Sequence, residues 1–357
     1  MLELVKYKKF AIGYDYSENK SFIKVIEPYI STIKEVYFSW PGMISGRPVV
    51  DAKITEKVKA KLFTDLSWCR SNNIMLDLLF NANCYGEIAY SETLRYQVYD
   101  IIEELKSNGL FPEVVTTTSQ YIAKVIKIKY PEIDIRASVN MRIESTKSME
   151  FISDIFDSFY ICRDIQRNLD TIKRFYDWSE KHNKKMCLLA NSSCLRCCPV
   201  QIWHDNFICH ENWRGEEQEF ILRYPYRLCG RHLSNDDNLV DVLRMSWIRP
   251  EDLHYYEPFV HTIKLATRRT SYPELMLQAY CQGSYDGNLL EVIGINRKDI
   301  IFDNKSFPDN WVESKIAQDC ALNCNECGKC QMLLKKILKT PVSSKPTYYF
   351  VNKSITF

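Results

Sequence analysis

Met186-Cys-Leu-Leu-Ala190-Asn191-Ser-Ser-Cys194-Leu-Arg-Cys197-Cys198-Pro199-Val-Gln-Ile-Trp-His204 sets a short apolar run directly before a turn dense in thiols. Such a run suits a buried strand, and the polar residues released at its end are delivered to whatever lies beyond the sheet. The turn carries three thiols and an imidazole within about four helical turns of chain. Cys194 and Cys198 are four apart and share a face if the turn winds into helix, which points Cys197 elsewhere. Pro199 stiffens the backbone just past the second thiol. Thiolates this close repel one another unless a cation or a cluster accepts them, so the turn is a candidate metal centre. The competing reading is a set of small buried hydrophobes.

On either side, β-rich apolar runs alternate with longer amphipathic stretches. The pattern predicts strands at Phe10–Asp15, Glu35–Ser39, Met75–Asn81, Glu113–Thr117, Asp134–Asn140, Phe159–Arg163, Met186–Asn191 and Thr262–Thr267. Between them it predicts helices at Ile23–Ile30, Ala52–Asn72, Glu92–Asn108, Gln120–Lys129, Ser145–Phe156, Leu169–His182 and Tyr272–Gln282. In the second of these, Ile54, Val58, Leu62 and Leu66 recur at near-helical spacing. Eight β–α units with no hairpin signal argue for an α/β fold, a TIM-barrel-like (β/α)8 domain; an open doubly wound sheet is the alternative. The expected organisation is a barrel over 1–290, with a Cys-rich insertion at 192–255, followed by a C-terminal Cys-rich segment over 291–357.

Composition narrows the function. The chain of 357 residues is 46% hydrophobic and 13% aromatic, enough for a large core. Its 47 basic and 45 acidic residues leave a net charge of +2, so there is no bulk pull toward nucleic acid or membrane, although a local basic patch remains compatible. No apolar run is long enough to span a membrane, and Met1–Lys6 lacks an apolar signal core, so a cytoplasmic location is expected. The 14 cysteines cluster in tight turns, which suits metal better than long-loop disulfides. With 11 glycines, a glycine-rich phosphate loop is not expected, and no His-Glu-x-x-His or Gly-x-Ser-x-Gly occurs.

In a barrel, the C-terminal ends of the strands face one mouth. That places Asn81, Cys84, Thr116, Asn140, Arg163, Asn191, Cys194, Lys264 and Arg268 around it, a polar and convergent set. The insertion adds His204, Cys209, His210, Cys229, Trp203 and Trp213, and reads as a cover over the mouth. Cys194, Cys198 and Cys229 are the expected ligands there, with a fourth from Cys84 or Cys209. Arg163, Lys264 and Arg268 would hold an anionic substrate, oriented by Asn140 and Asn191. The two imidazoles read as ordinary polar residues.

The tail has its own thiols. Cys320-Ala-Leu-Asn-Cys324-Asn-Glu-Cys327-Gly-Lys-Cys330 has the density of an iron–sulfur ligand run, and four thiolates also suit tetrahedral zinc. Its first three cysteines have the spacing of radical SAM enzymes, but those carry it after the first barrel strand rather than at the end of the chain.

The motif Asn-x-x-Cys-x-x-x-Cys-Pro at Asn191–Pro199, with His204 nearby, resembles the middle of the collagenase-like peptidases (family U-32). Trp247-Ile-Arg-Pro-Glu-Asp-Leu253, Lys264-Leu-Ala-Thr-Arg268 and Tyr285-Asp-Gly-Asn288 resemble the segment that follows it there. The resemblance covers roughly residues 8–290, most specifically in its second half. It implies either peptidase activity, the usual assignment, or a 4Fe–4S cluster serving oxygen-independent hydroxylation of quinone precursors or RNA, as in several subgroups. The cysteine spacing here differs from those subgroups, so their substrates do not carry over. The expectation is one or two 4Fe–4S clusters, with zinc as the alternative at the tail. The substrate would be an anionic small molecule, peptide or RNA, and an electron-transfer or homologous subunit would be the partner. A metal-dependent peptidase and a zinc-stabilised binding protein are the other two readings.

Overall fold

Eight parallel strands close on themselves in chain order. They are β1 (Phe10–Gly13), β2 (Ile33–Ser39), β3 (Met75–Phe80), β4 (Val114–Thr117), β5 (Asp134–Ala137), β6 (Ser158–Tyr160), β7 (Lys185–Leu189) and β8 (Thr262–Leu265). Pairing of Phe10 with Ile263, Ala11 with Lys264 and Ile12 with Leu265 seals the circle, which rules out the open sheet. This computed structural model describes residues 8–16, 21–46, 56–210, 224–268, 272–295, 297–309, 311–312, 320 and 323–339, without the side chains of Tyr224–Arg227 and Asn325. Trp213, the start of the helix expected from Ala52 and the chain past 339 lie outside these residues.

Helices α1 (Phe22–Ile26), α2 (Glu56–Ser71), α3 (Glu92–Ser107), α4 (Gln120–Lys129), α5 (Thr146–Glu150) and α6 (Leu169–Lys181) alternate with the first seven strands. Five of them start the same way: Ser21, Ser91, Ser119, Ser145 and Asn168 accept the backbone N–H of Lys24, Leu94, Ile122, Ser148 and Thr171. Each cap satisfies a donor that the first helical turn leaves open. The helix expected over Ser145–Phe156 ends at Glu150, and the chain continues in turns. Ser153 and Asp154 follow there, residues that compete with helix by bonding nearby backbone. Several strands also stop earlier than predicted, so Asn81 and Asn191 stand in the loops beyond them, and Asn140 and Arg163 in short 3-10 turns.

Alternation along the strands separates two interiors. Val36, Phe38, Leu76, Leu78, Val115, Ile135, Phe159, Leu188 and Ile263 join one apolar layer shared with the helices. The intervening positions face the lumen, where Ala11, Tyr37 and Leu79 form a separate small cluster. Buried polar groups on the same side include Glu35, Asp77, Thr116, Arg136, Ser158 and Lys264, set among Val114, Tyr160, Cys187 and Leu189. Arg136 pairs with both oxygens of Glu35, one at 3.1 Å, and its Nε donates to Ser158 Oγ at 3.1 Å. Its Nη1 also lies 3.6 Å from Asp77 Oδ2.

The insertion after β7 comprises α7 (Gln201–Cys209), α8 (Tyr224–Ser234) and α9 (Val240–Arg244). The chain closes with α10 (Pro273–Gln282), α11 (Leu289–Val292), β9 (Ile301–Phe302), α12 (Cys324–Cys327), α13 (Lys329–Ile337) and β10 (Leu338–Lys339), with β9 and β10 antiparallel. Leu333 and Ile337 of α13 enter the same apolar core as Val242 and Leu243 of α9. The motifs of the second half act as clamps on this arrangement. Arg249 holds Asp252 through two bonds at 2.9 and 3.0 Å, while Glu251 accepts from the Tyr285 amide at 2.7 Å and from Asn304 at 2.8 Å. Asn288 caps α11 and also accepts from the Phe302 amide at 2.9 Å. Among the described residues no helix is long and apolar enough to cross a membrane.

Removing one partner of a buried ion pair leaves the other charge stranded, which costs roughly 3–5 kcal/mol. Glu35→Ala should therefore lower stability by about that amount in urea unfolding. A Glu35→Leu/Arg136→Met double variant should recover most of it.

Candidate functional site

The thiol turn is not helical. Cys197 has φ 54°, a left-handed conformation that interrupts any helix between Cys194 and Cys198. Asp164 shapes the turn instead, accepting from the Cys197 amide at 3.2 Å through Oδ2 and from Arg196 Nε at 3.0 Å through its carbonyl. The expected helical facing is thus corrected, although Cys197 is exposed and Cys194 and Cys198 are half-buried. Cys229 on α8 meets the latter two. Burial, followed by the nearby Cys194 and Cys198, pushes its thiol up to about 12.

Arg163 belongs to this group. Its Nη1 donates to Cys194 Sγ at 3.2 Å. Burial opposes its charge, but Cys194, Asp205, Asp164 and Cys162 outweigh that and hold its pKa above the ordinary value. Cys84 and Cys209 form a neighbouring pair. Cys209, at the end of α7, accepts from the Asn83 amide at 3.2 Å and donates to the Asp205 carbonyl at 3.1 Å. Its pKa is raised by burial and by Cys84. Among the described residues no three histidine, cysteine or acidic side chains are gathered closely enough to hold a metal ion. The chemistry of the donors nevertheless fits a thiophilic centre: Cys229 lies within electrostatic reach of Cys194 and Cys198, beside a guanidinium that would offset thiolate charge.

Tail cysteines form a second group near two arginines. Burial raises the Cys330 thiol, Arg244 and Arg167 oppose the shift, and Cys320 and Cys324 reinforce it. Cys327 is exposed. Arg167 is itself buried, and its pKa falls to about 10; it donates to the Leu243 carbonyl at 2.7 Å and stacks 5.0 Å from the Trp247 ring. A cleft of about 380 Å³ lies between the two thiol groups, bordered by Arg196, Cys197, Cys198, Arg244 and Cys324.

Lys264 and Arg268 converge, as expected, and do so over one ring. Lys264 Nζ lies 3.8 Å and Arg268 Cζ 5.1 Å from the centroid of Tyr37, whose hydroxyl donates to the Leu265 carbonyl at 2.8 Å. Gly13 makes room for them, since a Cβ there would stand 2.4 Å from Arg268 Cγ and 2.8 Å from the Tyr37 ring. Burial pulls the Lys264 amine down to about 7; Asp77 counters this, and Arg268 and Arg136 add to it. Asp77 moves the other way, up to about 7, by burial first, with Arg136 opposing and Glu35 adding.

The two asparagines part company. Asn191 bonds the Ala266 amide at 2.6 Å and the Ala266 carbonyl at 3.3 Å, and touches Met276 Sδ at 2.9 Å, so its amide latches β7 to the end of β8. Asn140 lies beside Gly46 and Asn81: a Cβ on Gly46 would stand 3.3 Å from Asn140 Nδ2 and 2.6 Å from the Asn81 carbonyl. The sequence reading passed over Glu35, Asp77 and Arg136. The available signal was a charge set among apolar residues of a predicted buried strand, as in Met75-Leu-Asp77-Leu-Leu-Phe80.

No family model matches the chain. An uncharacterized protease of Methanocaldococcus jannaschii is 25% identical over 315 residues, 85% of this chain and 89% of that protein. Among solved structures, the U32 peptidase Mk0906 superposes with a TM-score of 0.52 at 11% identity, over 73% of this chain and 93% of its own. The chain is thus similar to a protease by sequence, and it shares its fold with a U32 peptidase. Its barrel has the fold of that solved peptidase, and its thiol groups are the features from which a function is argued.

The thiol environments predict an order of reactivity in metal-free protein. A thiol held up near 12 has little thiolate at neutral pH. In timed iodoacetamide labelling read by peptide mass spectrometry, exposed Cys197 should react at least about tenfold faster than Cys229.

Proposed function

We propose that this protein is of the U32 type and binds a 4Fe–4S cluster through Cys194, Cys198 and Cys229, with Cys209 or Cys84 as the fourth ligand. The observation that carries the reading is the approach of Cys229, on a separate helix, to the two half-buried thiols of the turn. A bound cluster would supply one-electron transfer. Arg163 would balance thiolate charge through its bond to Cys194. Cys320, Cys324, Cys327 and Cys330 would hold a second cluster, or a zinc. At the mouth Arg268, with Lys264 beside it over Tyr37, would receive the carboxylate or phosphate of a small molecule, peptide or RNA. Asn140 would orient it from the opposite loop. The reaction class is a redox or oxygen-independent hydroxylation-type modification, fed by an electron donor or a homologous subunit, in the reducing cytoplasm that free thiols suit.

The second reading is a metal-dependent peptidase, favoured by the names that the relative and the solved neighbour carry. Metal-assisted hydrolysis needs an open coordination position, usually among histidine or carboxylate ligands. The donors gathered here are thiols, which is the reason it ranks second. A zinc-stabilised binding protein ranks third.

Iron, acid-labile sulfide and the visible spectrum of anaerobically purified protein test the proposal. Brown protein with iron and sulfide is expected. Ser substitution at Cys194, Cys198 or Cys229 should remove most of the barrel-site absorption, and Cys197→Ser should spare it. Cys324→Ser should remove only the tail's share. Colourless protein carrying zinc alone would overturn the cluster and leave the other two readings.

A further inference from the structure

Among the described residues, the polar lumen holds a carboxyl oxygen without a hydrogen-bond partner and an amine without an ion-pair partner. Asp77 Oδ1 is buried without a hydrogen-bond partner, while Oδ2 accepts from Thr116 Oγ1 at 2.8 Å. Lys264 Nζ lies 3.8 Å from the Tyr37 centroid and 5.2 Å from that of Tyr160, and no described carboxylate oxygen comes within 4.0 Å of it. The other two lumen charges, Glu35 and Arg136, pair with each other, and Arg136 Nη1 also lies 3.6 Å from Asp77 Oδ2, leaving Oδ1 open. Buried polar groups are rarely left without partners, and a bound molecule with a polarised oxygen would bridge this pair. Arg268 lies over the same Tyr37 ring, poised for an anionic group on that molecule. Lys264 is buried, at 7% exposure.

We propose that Lys264 is a nucleophilic amine that captures a small 2-oxo acid, with the substrate carboxylate at Arg268 and its carbonyl oxygen toward Asp77. The carboxylate contact rests on the anionic-substrate reading above; the amine chemistry does not. The Nζ lone pair forms an N–C bond while the carbonyl π pair moves to oxygen, which takes the proton released from nitrogen to give a carbinolamine. Asp77 then protonates the departing hydroxyl, the C–O bond breaks, and the nitrogen lone pair closes the C=N bond. One amine, one carbonyl and one carboxylic acid become one iminium, one water and one carboxylate. The iminium is left over the faces of Tyr37 and Tyr160, opposite the Asp77 carboxylate. Burial shifts both groups in the direction that the step requires, the amine down and the carboxyl up. The charged and titratable groups facing the amine are Asp77, Glu35, Arg136, Arg268, Tyr37 and Tyr160.

Reductive trapping tests this on the full chain without knowledge of the natural substrate. Protein is treated with cyanoborohydride and either glyoxylate or formaldehyde across a pH series, and each lysine is read by peptide mass spectrometry. At neutral pH, Lys264 should be modified at least about tenfold faster than the exposed Lys147, because each unit of pKa is tenfold in free amine. Asp77→Asn should move the Lys264 profile to lower pH, since the Asp77 charge favours the ammonium form. Arg268→Gln should move it to higher pH and abolish any preference for glyoxylate. If Lys264 reacts no faster than Lys147, the amine proposal is overturned. If it reacts fast but takes both carbonyls equally, the 2-oxo acid assignment fails, and the anionic-substrate reading with it. Iron content of the same samples reports on the cluster separately.

Discussion

The pairing of Arg136 with Glu35 spans the inside of the barrel, from the fifth strand to the second. On the way the guanidinium also touches Ser158 on the sixth strand and Asp77 on the third. A one-residue slip in any of these strands would turn its lumen residue into the apolar layer under the helices. A charge placed there without a partner costs several kcal/mol, far more than a misplaced leucine in an ordinary barrel interior. Strand register is therefore fixed by charge complementarity in the lumen as well as by the outer apolar face. The same network leaves an amine and a carboxyl over, and they lie within its electrostatic reach.

Above the lumen the polar residues divide into two sides rather than one ring. Arg163 joins the thiols, through Cys194 and the Asp164-anchored turn. Lys264 and Arg268 share Tyr37. The Asn191 amide is committed to the backbone at Ala266, and so holds β7 and the end of β8 at a set separation between these sides. Charge balance accounts for the division: the Arg163 guanidinium is offset by Cys194 together with Asp205 and Asp164, whereas the two cations at Tyr37 draw on the ring's quadrupole and Lys264 draws on Asp77.

The barrel was legible because its outer face is conventional. Alternating apolar runs such as Met186–Ala190 pack under amphipathic helices, and each helix follows a strand. The ends of elements were less legible, because side-chain caps such as Ser119 and turns such as Phe151–Ile155 depend on local hydrogen bonds that periodicity does not register. Cys194, Cys198 and Cys229 could be grouped by residue type, and the structure does bring them near one another. The facing argument for Cys197 failed in its premise, since a left-handed residue broke the assumed helix, though its outward position followed for another reason. The lumen network was hidden because single charges in strands look like interruptions until the strands are closed into a circle. Motifs such as Trp247–Leu253 and Tyr285–Asn288 gave no hint that they clamp the closing segment to the insertion.

Cys197 and Cys327 are both exposed, each at the rim of a thiol group whose other members are partly buried. Exposed thiols are the first to climb the oxidation ladder, through sulfenic acid to mixed or intermolecular disulfides. In air the protein's shelf life would thus be governed by its two outermost sulfurs rather than by its core. Covalent dimers joined through Cys197 or Cys327 would accumulate while the fold stayed intact, and a reductant would restore the monomer until either sulfur reached the sulfinic stage.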